Sequence, residues 1–269
     1  MLRTRVLTAA VLIPIAIGLI YLGKFAFLAL VVVMLSLAEA EFCRLMAQDN
    51  FRPALVFGIG MVWLFLLGAQ FPQSEILQPG LALILFASLA WQMAHRQGSP
   101  VADWALTVAG GLYLGICGAC MIKIRGLDDG FWWMLTALFS IMCADSGAYF
   151  IGRAWGRHKM APSLSPGKTW EGYIAGVVTG VLTTSLLVSL WRTPTNGDVI
   201  ANIVHGSILG LLVATLAPLG DLAVSMIKRQ VGAKDSGNII PGHGGALDRL
   251  DSLLWTAVIS YYYILWFAT

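Results

Sequence analysis

Long apolar blocks alternate with short polar connections along the whole chain. A helix that crosses a bilayer needs about 20 mostly apolar residues. On that scale the pattern predicts nine spans: 6–22, 25–43, 54–71, 77–94, 102–122, 131–151, 172–191, 203–226 and 252–268. Only Gly23 and Lys24 separate the first two. The blocks are continuous and lack the period-two alternation of barrel strands, which argues against a β-barrel. The predicted fold class is an all-α polytopic integral membrane protein, a single membrane domain over 1–269. Residues 1–130 hold about five N-terminal spans. Residues 131–269 hold the spans that carry two long polar stretches, 152–171 and 227–251, where chemistry is expected.

Composition agrees with this pattern. Of 269 residues, 58% are hydrophobic and 12% charged, against about 45–50% and 25% in soluble domains. That excludes a soluble globular protein, a disordered chain and a disulfide scaffold. The net charge of +3 gives no reason to expect a nucleic-acid partner. Arg3, Arg5 and the apolar run after them have the outline of a signal peptide, but apolar blocks recur to the last residue, so a first transmembrane helix is expected. Cys117-x-x-Cys120 has no further Cys or His nearby to complete a metal site. Gly115, Gly118 and Ala119 around it suit close helix packing instead.

Orientation follows from the cations. With the N-terminus in the cytoplasm, nine alternating spans place 13 of the 17 Lys and Arg residues on the cytoplasmic side. Both long polar stretches then face the cytoplasm, where nucleotides are.

Carboxylates are scarce, so their positions carry information. Asp145, Glu171, Asp221, Asp235, Asp248 and Asp251 cluster in the second half. Asp145 and Asp221 fall inside or at the end of apolar blocks, where an unpartnered carboxylate costs at least about 2.5 kcal/mol. Each is either a helix–helix polar contact or a metal, proton or substrate site. Asp221, Ser225 and Lys228 are spaced i, i+4 and i+7, one face of a helix. Pro218 and Gly220 just before them can loosen the helix. Carboxylates next to cations suit a divalent metal carrying phosphates, because Mg²⁺ takes one or two carboxylates plus phosphate oxygens.

Within 227–251, Lys228, Arg229, Lys234 and Arg249 accompany Asp235, Asp248 and Asp251. Between them, Pro241-Gly242-His243-Gly244-Gly245 offers backbone that can approach a ligand, with amides able to cradle an anion. His243 is a candidate phosphate donor or acid/base group; His95, His158 and His205 have bland settings. Within 152–171, Gly167-Lys168-Thr169 invites a phosphate-loop reading that fails, because Pro162 stands where the first glycine is required. A helix start near Ser165-Pro166 is expected instead, its amides and Lys168 available to phosphate.

These residues resemble a known family. Ser225-Met226-Ile227-Lys228-Arg229, then Lys234-Asp235, then Pro241-Gly242-His243-Gly244-Gly245 and Asp248-Arg249-x-Asp251 are similar to the signature of phosphatidate cytidylyltransferases (CDP-diacylglycerol synthases). Ala144-Asp145-Ser146-Gly147-Ala148-Tyr149 and Ser165-Pro166-Gly167-Lys168-Thr169-Trp170-Glu171-Gly172 look like that family too. Ala246 departs from it, where a larger aliphatic residue is usual. The resemblance implies a reaction of CTP with phosphatidate to give CDP-diacylglycerol and pyrophosphate. It further implies dependence on Mg²⁺, alone or with a second or monovalent cation, and a multi-pass, homodimeric enzyme of the bacterial inner membrane. Asp221 and Asp248 are implied as metal ligands, with Asp145 and Asp251 as further candidates. Lys228, Arg229, Lys234 and Arg249 are expected to hold the phosphates, with Ser165 and Lys168 closing the site. A CDP-alcohol phosphotransferase would need an Asp-Gly-x-x-Ala-Arg string that is missing, and an ion-coupled transporter would show inverted repeats. A non-catalytic anionic-lipid scaffold would explain the cations but not the carboxylates.

Overall fold

The structure is a computed structural model that describes residues 2–95, 98–191, 199–239 and 244–268, with backbone alone at 2–7 and 9. It is almost entirely helical: α1 (Leu2–Leu22), α2 (Lys24–Gln48), α3 (Leu55–Gln70), α4 (Leu77–Ala94), α5 (Pro100–Gly126), α6 (Gly130–Trp155), α7 (Trp170–Trp191), α8 (Val199–Leu216), α9 (Pro218–Gln230) and α10 (Leu247–Phe267). One hairpin interrupts them, β1 (Lys159–Ala161) paired antiparallel with β2 (Ser165–Thr169). Every predicted block is met by helix, and among the described residues six helical segments are long and apolar enough to cross a membrane. The protein is therefore an all-α membrane protein.

One block departs from a simple span. The predicted 203–226 contains the end of α8 at Leu216 and the start of α9 at Pro218. Proline has no amide to continue the helical ladder, so the chain restarts there.

The chain forms two compact units. The first comprises Met1–Gly126 together with Ile227–Leu250; the second comprises Leu127–Met226 and Asp251–Thr269. The later polar stretch thus groups with the N-terminal helices. In the first unit α3 and α5 approach closely through small residues. A side chain at Gly111 would meet Met61, and one at Gly118 would meet Leu35 and Leu66. Cys117 and Cys120 are buried free thiols in this packing. In the second unit α7 presents Gly172, Gly176 and Gly180 to α6, and Gly206 and Gly210 of α8 lie against α7. Such small-residue contacts let helices associate where lipid offers no hydrophobic driving force. Hydroxyl pairs supplement them, Ser140–Thr184 at 2.6 Å and Ser185–Ser207 at 2.9 Å.

Candidate active site

Each unit carries a polar cluster at a helix end. In the second unit the cluster is built on the break before α9. Asp221 lies in the first turn of α9, where free amides favour a carboxylate. Lys168 Nζ stands 2.9 Å from Asp221 Oδ2 and donates to the Pro218 carbonyl at 3.1 Å. The Ser225 hydroxyl donates to Asp221 Oδ1 at 3.3 Å. The Lys168 and Asp221 side chains keep 23% and 35% exposure, so the pair is open to a ligand.

Lys168 reaches Asp221 from a strand. The helix start expected at Ser165-Pro166 does not form: Ser165–Thr169 is β2, and α7 begins at Trp170. Ser165 and Thr169 pair antiparallel with Ala161 and Lys159 of β1, so the segment is extended through Lys168 before the helix begins. Thr169 Oγ1 accepts the Gly172 amide at 3.2 Å and supplies the helix cap instead. The Glu171 carboxylate accepts the amides of Arg157 at 3.1 Å and His158 at 3.2 Å and pairs with His158 Nδ1 at 2.5 Å, tying the hairpin's approach to α7. Ser165 is half-buried on the same strand.

In the first unit the cluster gathers around Asp248, in the first turn of α10. Lys228 Nζ lies 2.6 Å from Asp248 Oδ1. Oδ2 accepts the Ser236 amide at 2.7 Å and the Gly245 amide at 3.1 Å, and lies 2.9 Å from the Ser236 hydroxyl, whose single proton it shares with Glu41. Burial works to raise the Asp248 carboxyl. The hydrogen bonds from Lys228, Ser236 and Gly245 outweigh it and hold the group below the usual carboxylate range. Gly244 adopts φ +82°, a conformation that favours glycine, and a side chain at Gly245 would collide with Ser236 and Glu41.

Glu41 is a participant that the sequence reading missed. It is fully buried on α2 and accepts the amides of Ala246 and Leu247 at 2.9 Å each, plus the Ser236 hydroxyl at 2.7 Å. Glu39 and Glu41 do sit inside an apolar block, as Asp145 and Asp221 do, but nothing in their spacing points to Ser236, Ala246 or Leu247. Glu39 is also fully buried.

The other expected site residues are placed as follows. Arg229 is exposed and donates to the Ala233 carbonyl at 2.9 Å. Lys234, Asp235 and Arg249 are exposed, as is Asp145 on α6. Asp251 is half-buried on α10, its Oδ1 accepting the Ser252 amide at 2.6 Å. His243, with Pro241 and Gly242, lies outside the described residues. The amide of Gly245, expected to face an anion, is directed to Asp248 instead. Among the described residues no three His, Cys, Asp or Glu side chains gather as a ready-made metal cage.

The fold and these clusters describe a helical membrane protein in which carboxylates at helix starts are paired with lysines. The chain belongs to the Cytidylyltransferase family, whose model matches residues 3–267. It is similar to proteins named phosphatidate cytidylyltransferase in three bacteria. The identity is 30% with that of Bacillus subtilis, over 99% of both chains. It is 32% with that of Haemophilus influenzae, over 98% of this chain and 99% of the relative. It is 34% with that of Brucella suis, over 97% of this chain and 92% of the relative. The family resemblance in the sequence motifs is borne out, and the chain is an enzyme of a nucleotidyltransferase family.

Proposed function

We propose that this chain transfers the cytidylyl group of CTP to phosphatidate, releasing pyrophosphate and forming CDP-diacylglycerol for phospholipid synthesis. The observation that carries the reading is that two acids singled out by the motifs are each held by a lysine: Asp221 by Lys168, Asp248 by Lys228. A lysine that neutralises a carboxylate in the resting protein can turn to a phosphate when substrate enters.

The chemistry asks for little beyond charge control. A phosphate oxygen of phosphatidate is already a nucleophile. It forms a bond to the α-phosphorus of CTP as the α–β anhydride bond breaks, and pyrophosphate leaves. No general base is required. The barrier is repulsion between anions, lowered by positioning and by fixed positive charge. Lys168, Lys228, Arg229, Lys234 and Arg249 are the cations assigned to the triphosphate and the lipid phosphate. Ser165 is assigned to positioning, and His243 to donating a hydrogen bond to a phosphate.

The residues fit Mg²⁺ unequally. Asp221 has one ammonium and one hydroxyl on its carboxylate and is part exposed, so it has lone pairs for a cation. Asp248 has its Oδ2 engaged by the Ser236 and Gly245 donors and its Oδ1 paired with Lys228, so it would take a cation through Oδ1 only once Lys228 turns away. Mg²⁺ is typically held by one or two carboxylates together with substrate phosphates and water. Asp221 and Asp248 are the proposed ligands, Asp145 and Asp251 the reserve. Bound Mg²⁺ would supply charge neutralisation for the triphosphate and leaving group.

The membrane arrangement is part of the proposal. Nine spans, with α8 and α9 forming one interrupted span and the N-terminus cytoplasmic, put 13 of 17 cations inside. The polar stretches then meet cytoplasmic CTP. The setting proposed is the bacterial inner membrane, and the assembly a homodimer. Incubating purified protein with phosphatidate, labelled CTP and Mg²⁺, with and without EDTA, tests the reading. Label in lipid that vanishes with EDTA supports it; label that survives chelation removes the metal.

A further inference from the structure

Glu41 lies within the apolar α2, fully buried, yet its hydrogen bonds go to the segment that leads into Asp248. Oε1 accepts the Ala246 amide at 2.9 Å; Oε2 accepts the Leu247 amide at 2.9 Å and the Ser236 hydroxyl at 2.7 Å. Ala246 and Leu247 stand at the start of α10, where the first amides have no carbonyl of their own helix to bond. A carboxylate there satisfies two of them and is favoured by the helix dipole. The Ser236 hydroxyl also stands 2.9 Å from Asp248 Oδ2. One hydroxyl proton faces two carboxylates, so Ser236 links them. Gly245 completes the fit, because any side chain there would strike both Glu41 and Ser236.

We infer that Glu41 is a positioning residue for cytidylyl transfer: from α2 it fixes the Ser236 turn and the start of α10, and so the Asp248 carboxylate between them. Glu41 makes all three of these bonds to the segment bearing Asp248. That is more than helix packing asks of a buried acid, and it is why the effect should appear in turnover. The inference rests on the cytidylyltransferase reading and on Asp248 belonging to its reacting centre.

The test uses wild type, Glu41→Gln, Ser236→Ala and the double variant, all full-length and purified in detergent. Per folded molecule, Glu41→Gln should lower kcat by about tenfold to a hundredfold, the range for losing a hydrogen bond to a charged group. KM for CTP should change by less than about twofold, since the lost contact acts on the reacting carboxylate rather than on nucleotide binding. The double variant should lose less than the product of the single losses, because both break one link. Amide exchange at Ala246 and Leu247 should quicken in Glu41→Gln. If Glu41→Gln fails to fold, Ser236→Ala carries the test, with lower kcat and faster exchange at Ser236 expected. Unchanged kcat in the folded variants overturns the inference, as do losses that simply multiply. A folded wild type that transfers no cytidylyl group overturns the functional reading itself, and the positioning role with it.

Discussion

Lys228 Nζ and Asp248 Oδ1 lie 2.6 Å apart, with their side chains only 11% and 7% exposed. A pair this far from water is held by mutual attraction and by the hydrogen bonds that complete it. Removing one partner strands the other. Lys228→Met should therefore destabilise the protein by about 3 kcal/mol, the lower end for breaking a buried pair. Thermal unfolding of detergent-purified protein reads this directly. A midpoint equal to wild type would mean that the pair is not closed in solution.

Asp248→Asn should behave differently. The amide is isosteric, but it leaves the Lys228 charge uncompensated and turns an NH2 toward the Ser236 and Gly245 amides if its oxygen stays on Lys228. Some stability is therefore lost along with the negative charge assigned to the metal, and activity is compared per folded molecule. Turnover should be abolished. Retained activity in this variant would remove Asp248 from the proposed metal ligands.

Lys168 bridges Asp221 and the Pro218 carbonyl. Lys168→Met should raise KM for CTP or phosphatidate by about tenfold, the equivalent of 1.4 kcal/mol, with little change in thermal stability because the pair is partly solvated. Asp221→Asn should instead abolish turnover. Steady-state kinetics on both separates substrate holding from metal holding.

The glycines give a structural control. Gly245→Ala would drive a methyl into Ser236 and Glu41, whereas a methyl at Gly167 meets nothing within 4 Å. The first substitution should cost stability and turnover together. The second should stay within about 0.5 kcal/mol of wild type. Equal behaviour of the two would contradict the packing around Glu41.

Acid stability should report on Asp248. Its carboxyl is held below the ordinary range, so the stability it contributes is present above the unfolded value, about 3.9, and is lost as pH falls through the lower folded value. Between pH 5 and 8 this group should contribute a constant amount. Unfolding midpoints measured down to pH 3 should fall in wild type, and the part of that fall due to Asp248 should be missing in Asp248→Asn. Identical acid limbs would contradict the assignment.

Much of this was legible in the sequence because lipid imposes a simple rule on it. Each apolar block had to be helical, and each is, the 203–226 block as two helices. The break at Pro218 could be anticipated from the missing amide, and Asp221 and Asp248 stood out as acids beside cations. Two features were not legible. Ser165–Thr169 forms a strand by pairing with Lys159–Ala161 while Thr169 supplies the cap further on, a pairing that the spacing of Lys168 and its neighbours does not reveal. Glu41 was hidden for a different reason. Its partners Ser236, Ala246 and Leu247 are 195, 205 and 206 residues away, and helical periodicity reports only neighbours three or four positions apart.

The most direct test of cytidylyl transfer compares two labels. Folded wild-type protein is given phosphatidate, Mg²⁺ and CTP labelled at either the α- or the γ-phosphorus, and the lipid is extracted. Attack at the α-phosphorus places the α label in lipid and leaves the γ label in aqueous pyrophosphate. No lipid label from α-labelled CTP, across phosphatidates of several chain lengths, would contradict the proposed function; γ label in the lipid would mean phosphoryl transfer instead.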